Sequence, residues 1–315
     1  MSADLTAPIF TNEDAAWAHF EAIRWPDGRV CPHCGTVDQS TKSTGKTTRR
    51  GLYNCGVKQC RKPFTATMGT VYEKSHIPMH KWLLATHLMA ASKKGMSAHQ
   101  LYRMLGFGSY RTAWFMLHRI REAMKPAPGP KMGGSGPVEV DETFIGHDPH
   151  NPPKPGVQTS IANMNRVLSL VDRGSGEARS FVVKDLRLAT IAPIIDANIR
   201  RDAWLISDEA SRYVNIGWNF AGHGVVSHGK GEYAIGMTHT NTVEGFYSIF
   251  KRGMKGVYQH CGSRHLHRYV VEFDFRYSNR VALGVDDKAR AAKIVAGATG
   301  RRLTYRQPHG QSLAA

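Results

Sequence analysis

The sequence predicts a mixed α/β (α+β) protein in which a metal-stapled module and a helical region precede a mixed-sheet domain. Three observations carry this. Two close cysteine pairs stand near the start of a chain of 315 residues. A strongly helical pattern runs over residues 76–125. After a Pro- and Gly-rich break, short apolar runs of strand spacing alternate with helical ones, the order expected of a mixed sheet.

Residues 11–25, "TNEDAAWAHFEAIRW", have the spacing of a short amphipathic helix. Residues 26–66 read as short strands and turns. "CPHCG" sets Cys31 and Cys34 two residues apart, and "CGVKQC" sets Cys55 and Cys60 four apart, with twenty residues between the pairs. Two close pairs across such a gap supply four thiolates to one tetrahedral Zn²⁺. Four protein ligands leave no open position, so this zinc is expected to be structural. His33 lies between two ligands as a competitor. Gly35 and Gly56 suit tight knuckles, and Cys261 stands apart as an ordinary thiol. The basic loops Lys42–Arg50 and Lys58–Phe64 are candidates for phosphate contact.

The stretch "GMSAHQLYRMLGFGSYRTAWFMLHRIREAM" spans Gly95–Met124. Ser97 followed by Gln100 opens a helix as a capping box. Leu101, Met104 and Leu105 form an apolar stripe, and "GFGS" ends the helix. A second helix from Tyr110 is expected to bury Ala113, Trp114, Leu117 and Ile120. Two short helices joined by a Gly-containing turn make a helix-turn-helix, a DNA-reading unit. Arg111, His118, Arg119 and Arg121 are expected on its outer face as DNA contacts.

"KPAPGPKMGGSGP" (Lys125–Pro137) holds four Pro and four Gly and reads as a linker. Beyond it "VEVDETFIG" (Val138–Gly146) alternates as a strand. "RVLSLVDRGSGEARSFVVKD" (Arg166–Asp185) reads as a hairpin turned by Gly-Ser-Gly. "TIAPIIDANI" (Thr190–Ile199) suits a helix, "AWLISD" (Ala203–Asp208) a buried strand and "HGVVSH" (His223–His228) another short strand. Two helices follow, "HTNTVEGFYSIFKRG" (His239–Gly253) and "RHLHRYVVEFDFRYSNR" (Arg264–Arg280). The expected division is 1–66 for the first helix and zinc ribbon, 67–128 for the helical region, 129–290 for the mixed-sheet domain and 291–315 for a basic tail.

Three carboxylates in this last domain invite a chemical reading. Asp141 lies mid-strand among apolar residues, where a charge is costly unless paired or bound to metal. Asp208 ends an apolar strand. Glu244 follows after thirty-five intervening residues, on a helix whose Val243, Phe246, Tyr247 and Phe250 share the core face. Glu244, Ser248 and Lys251 fall on the opposite face. Carboxylates gathered at one sheet edge hold two hard divalent ions. Such a pair activates an attacking oxygen and stabilises a leaving one in phosphoryl transfer. Glu142 is expected to face away from this edge. Glu209 directly follows Asp208, and His239 is read as a supporting residue.

These residues resemble the DDE triad of RNase H-like transposases and integrases. With "CPHCG", "FTATMGTVYEKSHIPMHKW", "VDETFIG", "HTNTVEGFYSIFKRG" and "HRYVVEFDFRYSNR", nearly the whole chain is similar to bacterial insertion-sequence transposases of the zinc-ribbon DDE type. The resemblance implies an RNase H-like catalytic domain that uses Mg²⁺ or Mn²⁺ for cut-and-insert chemistry on the element's own ends. It implies Asp141, Asp208 and Glu244 as metal ligands, and a catalytic role for Lys251, seven residues after Glu244. Asn241, one helical turn before Glu244, stands as the alternative third ligand or as an auxiliary one.

Forty-two Lys and Arg against 25 Asp and Glu leave a formal net charge of +17, which favours a polyanionic partner. Double-stranded DNA, as terminal inverted repeats and target, is the expected partner, with a homo-oligomer forming on it by the same resemblance. No secretory signal and no apolar run of about 20 residues are visible, so a cytoplasmic, nucleoid-associated protein is expected, with no membrane. Two other functions fit parts of the sequence. One is a DNA-binding regulator with an inactive third domain. The other is a nuclease that hydrolyses without joining.

Overall fold

The computed structural model describes residues 4–154, 156, 160–226, 234–235 and 238–304. The chain divides into two compact units. One comprises Met1–Ala91, Ser97–Lys125 and Asp286–Ala315; the other comprises Ser92–Met96 and Pro126–Val285. The ribbon and the helical region, expected as separate domains, therefore share one unit. The stretch expected as a tail from residue 291 begins inside a helix, Asp287–Ala296, of that same unit. Residues 305–315 lie outside the described residues.

The first unit opens with α1 (Pro8–Thr11) and α2 (Glu13–Arg24). Asn12 caps α2, its side-chain oxygen accepting from the N–H groups of Asp14 and Ala15 at 2.9 and 3.0 Å. The ribbon is a three-stranded antiparallel sheet of β1 (Ser40–Lys42), β2 (Leu52–Cys55) and β3 (Pro63–Thr65), in that order. Next comes α3 (Met79–Ala91), which buries Met79, Trp82, Leu83, His87 and Met89. A helix apolar nearly all round belongs inside a unit, and α2, α5 and the C-terminal helix all pack on it. Glu13 accepts from the Met79 and His80 N–H groups at 2.8 and 3.1 Å, so a carboxylate meets the positive end of α3.

The helix-turn-helix forms where the sequence places it, as α4 (Ala98–Met104) and α5 (Tyr110–Ala123). Ser97 caps α4 through Gln100 N–H, and Ser109 caps α5 through Arg111 N–H. Gly106 takes φ +58° between them, the left-handed conformation that ends a helix and favours glycine. The apolar stripe differs in one place: Leu101 and Leu105 are buried, whereas Met104 is exposed.

The second unit is a five-stranded mixed sheet with helices on both faces. Its elements are β4 (Val138–Ile145), β5 (Asn165–Asp172), β6 (Ala178–Val183), α6 (Leu188–Asn198), β7 (Trp204–Asp208), α7 (Ser211–Gly217) and β8 (Gly222–Val226). A two-stranded pair, β9 (Ala234–Ile235) and β10 (Thr238–His239), follows, then α8 (Asn241–Gly253) and α9 (Ser263–Ser278). The strand order is β6-β5-β4-β7-β8, with β4, β5 and β6 antiparallel and β7 and β8 parallel to β4. The hairpin turns at Gly174-Ser175-Gly176 because the Asp172 carboxylate accepts from the Gly174 and Ser175 N–H groups. Ser227 and His228, expected to extend β8, lie outside the described residues.

Alternation along the strands builds two cores. Val138, Val140, Leu168 and Leu170 pack with Ile191 and Ile195 of α6 and Tyr213 and Ile216 of α7. Ile145, Val167 and Val171 pack with Val243, Phe246, Tyr247 and Phe250 of α8 and Leu266 and Phe273 of α9. The core face assigned to α8 from its spacing is the face it buries. The odd-numbered residues of β4, Asp141 among them, point to the α8 side. Glu142 points to the α7 side, as the strand period requires.

Candidate functional site

Two places gather groups with chemistry. In the ribbon, the Sγ atoms of Cys31, Cys34, Cys55 and Cys60 all lie within 4.8 Å of one another. Cys31 and Cys60 are 3.8 Å apart, and Cys34 and Cys55 are 3.6 Å apart. Four sulfurs about 2.3 Å from a tetrahedral Zn²⁺ stand about 3.8 Å from each other, so the cluster has the dimensions of a zinc site. Burial pushes the Cys31 thiol up, but the His33 and Cys34 N–H groups prevail and hold it at about 7. Burial pushes Cys55 up. A cation would offset the charge that four close thiolates accumulate. His33 turns away and bonds to the Pro63 carbonyl oxygen at 3.2 Å. Gly35 takes φ +75°. Gly56 serves differently: it is not left-handed, and a Cβ there would meet the Gln39 carbonyl at 3.2 Å.

In the second unit, parallel pairing sets Val138 against Leu205 and Glu139 against Ile206. Continuing that register brings Asp141 level with Asp208, at the end of β7. Glu244 sits in the first turn of α8. The Asp141 carboxyl is pushed up to about 7, first by burial, then by the Glu142 charge, with Asp208 and Glu244 adding to it. Three other carboxylates thus act on Asp141, and two of them are the residues expected beside it. The three do not form a tight cluster. Among the described residues, the four cysteines alone bring three or more ligand atoms within 4.8 Å of one another. The donor set still suits a hard divalent ion: a carboxyl held partly protonated by burial and by neighbouring negative charge is relieved by a cation.

Each of these groups is oriented from behind. The Tyr247 hydroxyl donates to the Asp141 backbone carbonyl at 2.6 Å, tying α8 to β4 at the residue in question. The Thr240 hydroxyl donates to Glu244 Oε1 at 2.7 Å. The Ala210 N–H donates to Asp208 Oδ1 at 3.1 Å. Asn241 and Lys251 are exposed on α8, as is Glu209 after β7. Glu142 is engaged by Arg212 and by the Tyr213 hydroxyl, both on α7, a helix the sequence reading did not anticipate.

The sequence reading also passed over Glu139. It is fully buried, bonded to Arg173, and accepts from the Val243 N–H at 2.8 Å. His239, read as a supporting residue, accepts from Arg173 through Nδ1 at 2.8 Å. The signal was present in "VEVDETF", where Glu139 shares the strand face of Asp141, two residues away.

The outer face expected of the helix-turn-helix is corrected at three of its four residues. His118, Arg119 and Arg121 are buried, and only Arg111 is exposed. The later turns of α5 run through the interior of the first unit against α3 and the C-terminal helix. Arg119 lies over the Trp82 ring and donates to the Glu73 carbonyl at 2.7 Å; His118 packs edge-on to Trp114. The exposed surface of the pair is its turn side: His99, Arg103, Tyr110 and Arg111, with the His99 and Tyr110 rings 4.3 Å apart.

Residues 134–278 match the family described as ISXO2-like transposase domain, and residues 11–63 match the family described as transposase zinc-ribbon domain. A protein of Halobacterium salinarum, described as an uncharacterized protein in transposable element ISH50, is 28% identical over 255 residues, covering 77% of this chain and 83% of that protein. The first match contains the sheet, α8 and α9; the second contains the cysteine cluster.

Proposed function

We infer, of a chain that unites a transposase zinc ribbon with an ISXO2-like transposase domain, that it binds the ends of its own insertion sequence, cuts DNA strands there and joins them to target DNA. The observation that carries this reading is the parallel register of β4 and β7, which continued by two residues brings Asp141 level with Asp208, together with the Asp208 and Glu244 charges felt at Asp141.

Asp141, Asp208 and Glu244 are the residues that hold two divalent ions, Mg²⁺ or Mn²⁺. When bound, these ions supply activation of an attacking oxygen and stabilisation of a leaving 3′-oxygen. The chain's own residues do the rest. Tyr247 fixes the strand position of Asp141, and Thr240 fixes the rotamer of Glu244. Lys251, two turns along the exposed face of α8, meets a DNA phosphate. Asn241 lies at the start of the same helix, where it orients a phosphate or shares the third ligand position. End recognition falls to the turn side of α4 and α5, with Arg111 contacting DNA, and to the ribbon loops. Lys42, Lys46, Arg49 and Lys58 are exposed there. The zinc is structural. The working form is an oligomer on paired double-stranded ends in the cytoplasm, at the nucleoid. Among the described residues no helix is long and apolar enough to cross a membrane.

Labelled element ends incubated with the chain and Mg²⁺, scoring cleavage and joining separately, test this. Cleavage with joining supports a transposase, and cleavage alone reduces it to a nuclease. End binding with neither, unchanged by Asp141→Asn, leaves a DNA-binding regulator.

A further inference from the structure

Beyond Lys251, a cavity of about 850 Å³ opens in the second unit. It lies between the end of β4 with its following loop and a π-helical turn, Met254–Tyr258, that prolongs α8. The turn ends at Gln259, whose φ of +51° is rare for a non-glycine residue. Inserted π turns and such backbone positions gather at functional sites. A second hollow of about 560 Å³ shares Pro149, Asn165, Gly262 and Ser263 with the first, so the two form one trough.

The chemistry of the trough is uneven. The first hollow carries His147, Lys251, Lys255 and His260 and has no carboxylate in its lining. The second carries His150, Lys184 and Arg264 against a single acid, Asp148, which pairs with Arg166 at 3.4 Å. The walls between these polar groups are apolar: Phe144, Ile145, Met164 and Leu266. Cations along a rim and apolar atoms beneath them suit phosphates linked to exposed base faces. A duplex stacks its base faces away and offers only their edges, whereas an unpaired strand presents both features.

We propose that this trough holds an unpaired stretch of the DNA strand adjoining the phosphate that is cut, its backbone running from Lys251 past Lys255 to Arg264 and Lys184. The proposal rests on the strand-cutting reading above. It adds that the terminal base pairs of the element open in the complex, because the trough is lined for bases that have left the stack.

The test uses the full chain carrying Asp141→Asn, so that DNA is not consumed. Binding is measured to a labelled element end that is fully paired and to one whose last few pairs are mismatched. The frayed end should bind more tightly. Lys255→Ala and Arg264→Ala should each weaken frayed-end binding by about 3–10-fold and flatten its salt dependence by about 0.7 in the log–log slope. Binding to the paired end should stay within about twofold. Lys255→Arg should restore the preference, which a folding defect would not allow. Equal loss on both DNAs, or unchanged preference in both variants, overturns the proposal. Cleavage in Mg²⁺ by the chain without Asp141→Asn is scored in parallel. If it cuts ends while the binding arm shows no preference, the trough assignment falls and strand cutting stands. If it cuts neither end, strand cutting falls and the binding arm alone decides the trough.

Discussion

The Glu139 carboxylate, fully buried in β4, accepts a hydrogen bond at 2.8 Å from the backbone N–H of Val243, 104 residues later in the chain. Val243 is in the first turn of α8 and Glu244 is next to it. The start of that helix has N–H groups without partners inside it and carries partial positive charge, so an anion fits there. Arg173 balances the carboxylate's charge. One strand residue thereby sets where α8 begins, on the same strand face as Asp141.

Glu139→Met should destabilise the second unit by about 3–5 kcal/mol, because it leaves a largely buried Arg173 charge without its carboxylate, although still bonded to His239. Glu139→Met with Arg173→Met removes both charges and should recover most of that in a denaturant titration. Cleavage in the double variant should still fall by about 10–100-fold, since α8 has lost its acceptor and a small misplacement of a ligand is expensive. Glu139→Gln with Arg173→Met keeps an acceptor for Val243 and should cleave better. Equal cleavage by the two double variants would remove Glu139 from the positioning of α8.

Purified protein should contain about one zinc per chain, and Cys31→Ser should lower that content. A small sheet with a core of Tyr53, Phe64 and the cysteines is expected to depend on the proposed zinc for folding. Chelation should therefore expose the ribbon to protease while the second unit stays folded. Full zinc content in Cys31→Ser, or a ribbon indifferent to chelator, would count against the site.

Burial separates the arginines of α5. Arg111→Ala should weaken binding to element ends by about 1–3 kcal/mol if it reads a base edge, relaxing sequence preference as it does so. Arg119→Ala should instead lower stability, because it removes a buried side chain packed on Trp82 and bonded to the Glu73 carbonyl. Melting curves and end-binding titrations on the same two proteins check this. An Arg119→Ala protein of unchanged stability with lost end specificity would return that residue to the DNA face.

What was legible depended on how far a residue's neighbours lie along the chain. Val243, Phe246, Tyr247 and Phe250 reveal α8 because three- and four-residue steps are local. The cysteine pairs reveal the ribbon for the same reason, and Gly174-Ser175-Gly176 reveals the hairpin. Arg119 and Arg121 look like surface residues by type. Their burial is decided by α3 and by the helix Asp287–Ala296, which no pattern within α5 announces. Glu139 is an alternating polar position on a strand, and only the arrival of α8 turns it into a buried cap. Asp141 and Asp208 were readable because each is an acid in an apolar strand. Their level placement needed the parallel register of β4 and β7.

Glu244→Gln and Asn241→Ala decide the third ligand. Glu244 has the charge, and Thr240 already holds its carboxylate. Glu244→Gln should reduce cleavage and joining by at least about 100-fold with end binding intact, as expected on losing a charged metal ligand. Asn241→Ala should cost less, as should Lys251→Ala, whose exposed ammonium is proposed to meet a phosphate. Full activity in Glu244→Gln with none in Asn241→Ala would move the ligand to Asn241.

The raised Asp141 carboxyl makes a statement about stability that needs no DNA. In the unfolded chain it titrates near 3.9; in the fold it is pushed up to about 7, first by burial and then by the Glu142 charge. Between those values the folded chain binds the proton and the unfolded chain does not. Stability therefore falls as pH rises from about 4 to about 7, and levels off above that. The loss is on the order of a few kcal/mol at most. Asp141→Asn lacks the charge and should melt several degrees higher than the unaltered chain at pH 8 without divalent metal, a gap that narrows at pH 5. Mg²⁺ should then raise the melting temperature of the unaltered chain, because an ion that binds only the folded carboxylates stabilises them by mass action. The variant should respond less. No gap at pH 8 would mean that the Asp141 charge is not strained by its burial and neighbours, and an equal Mg²⁺ rise in both proteins would mean that Asp141 is not a ligand for the ion.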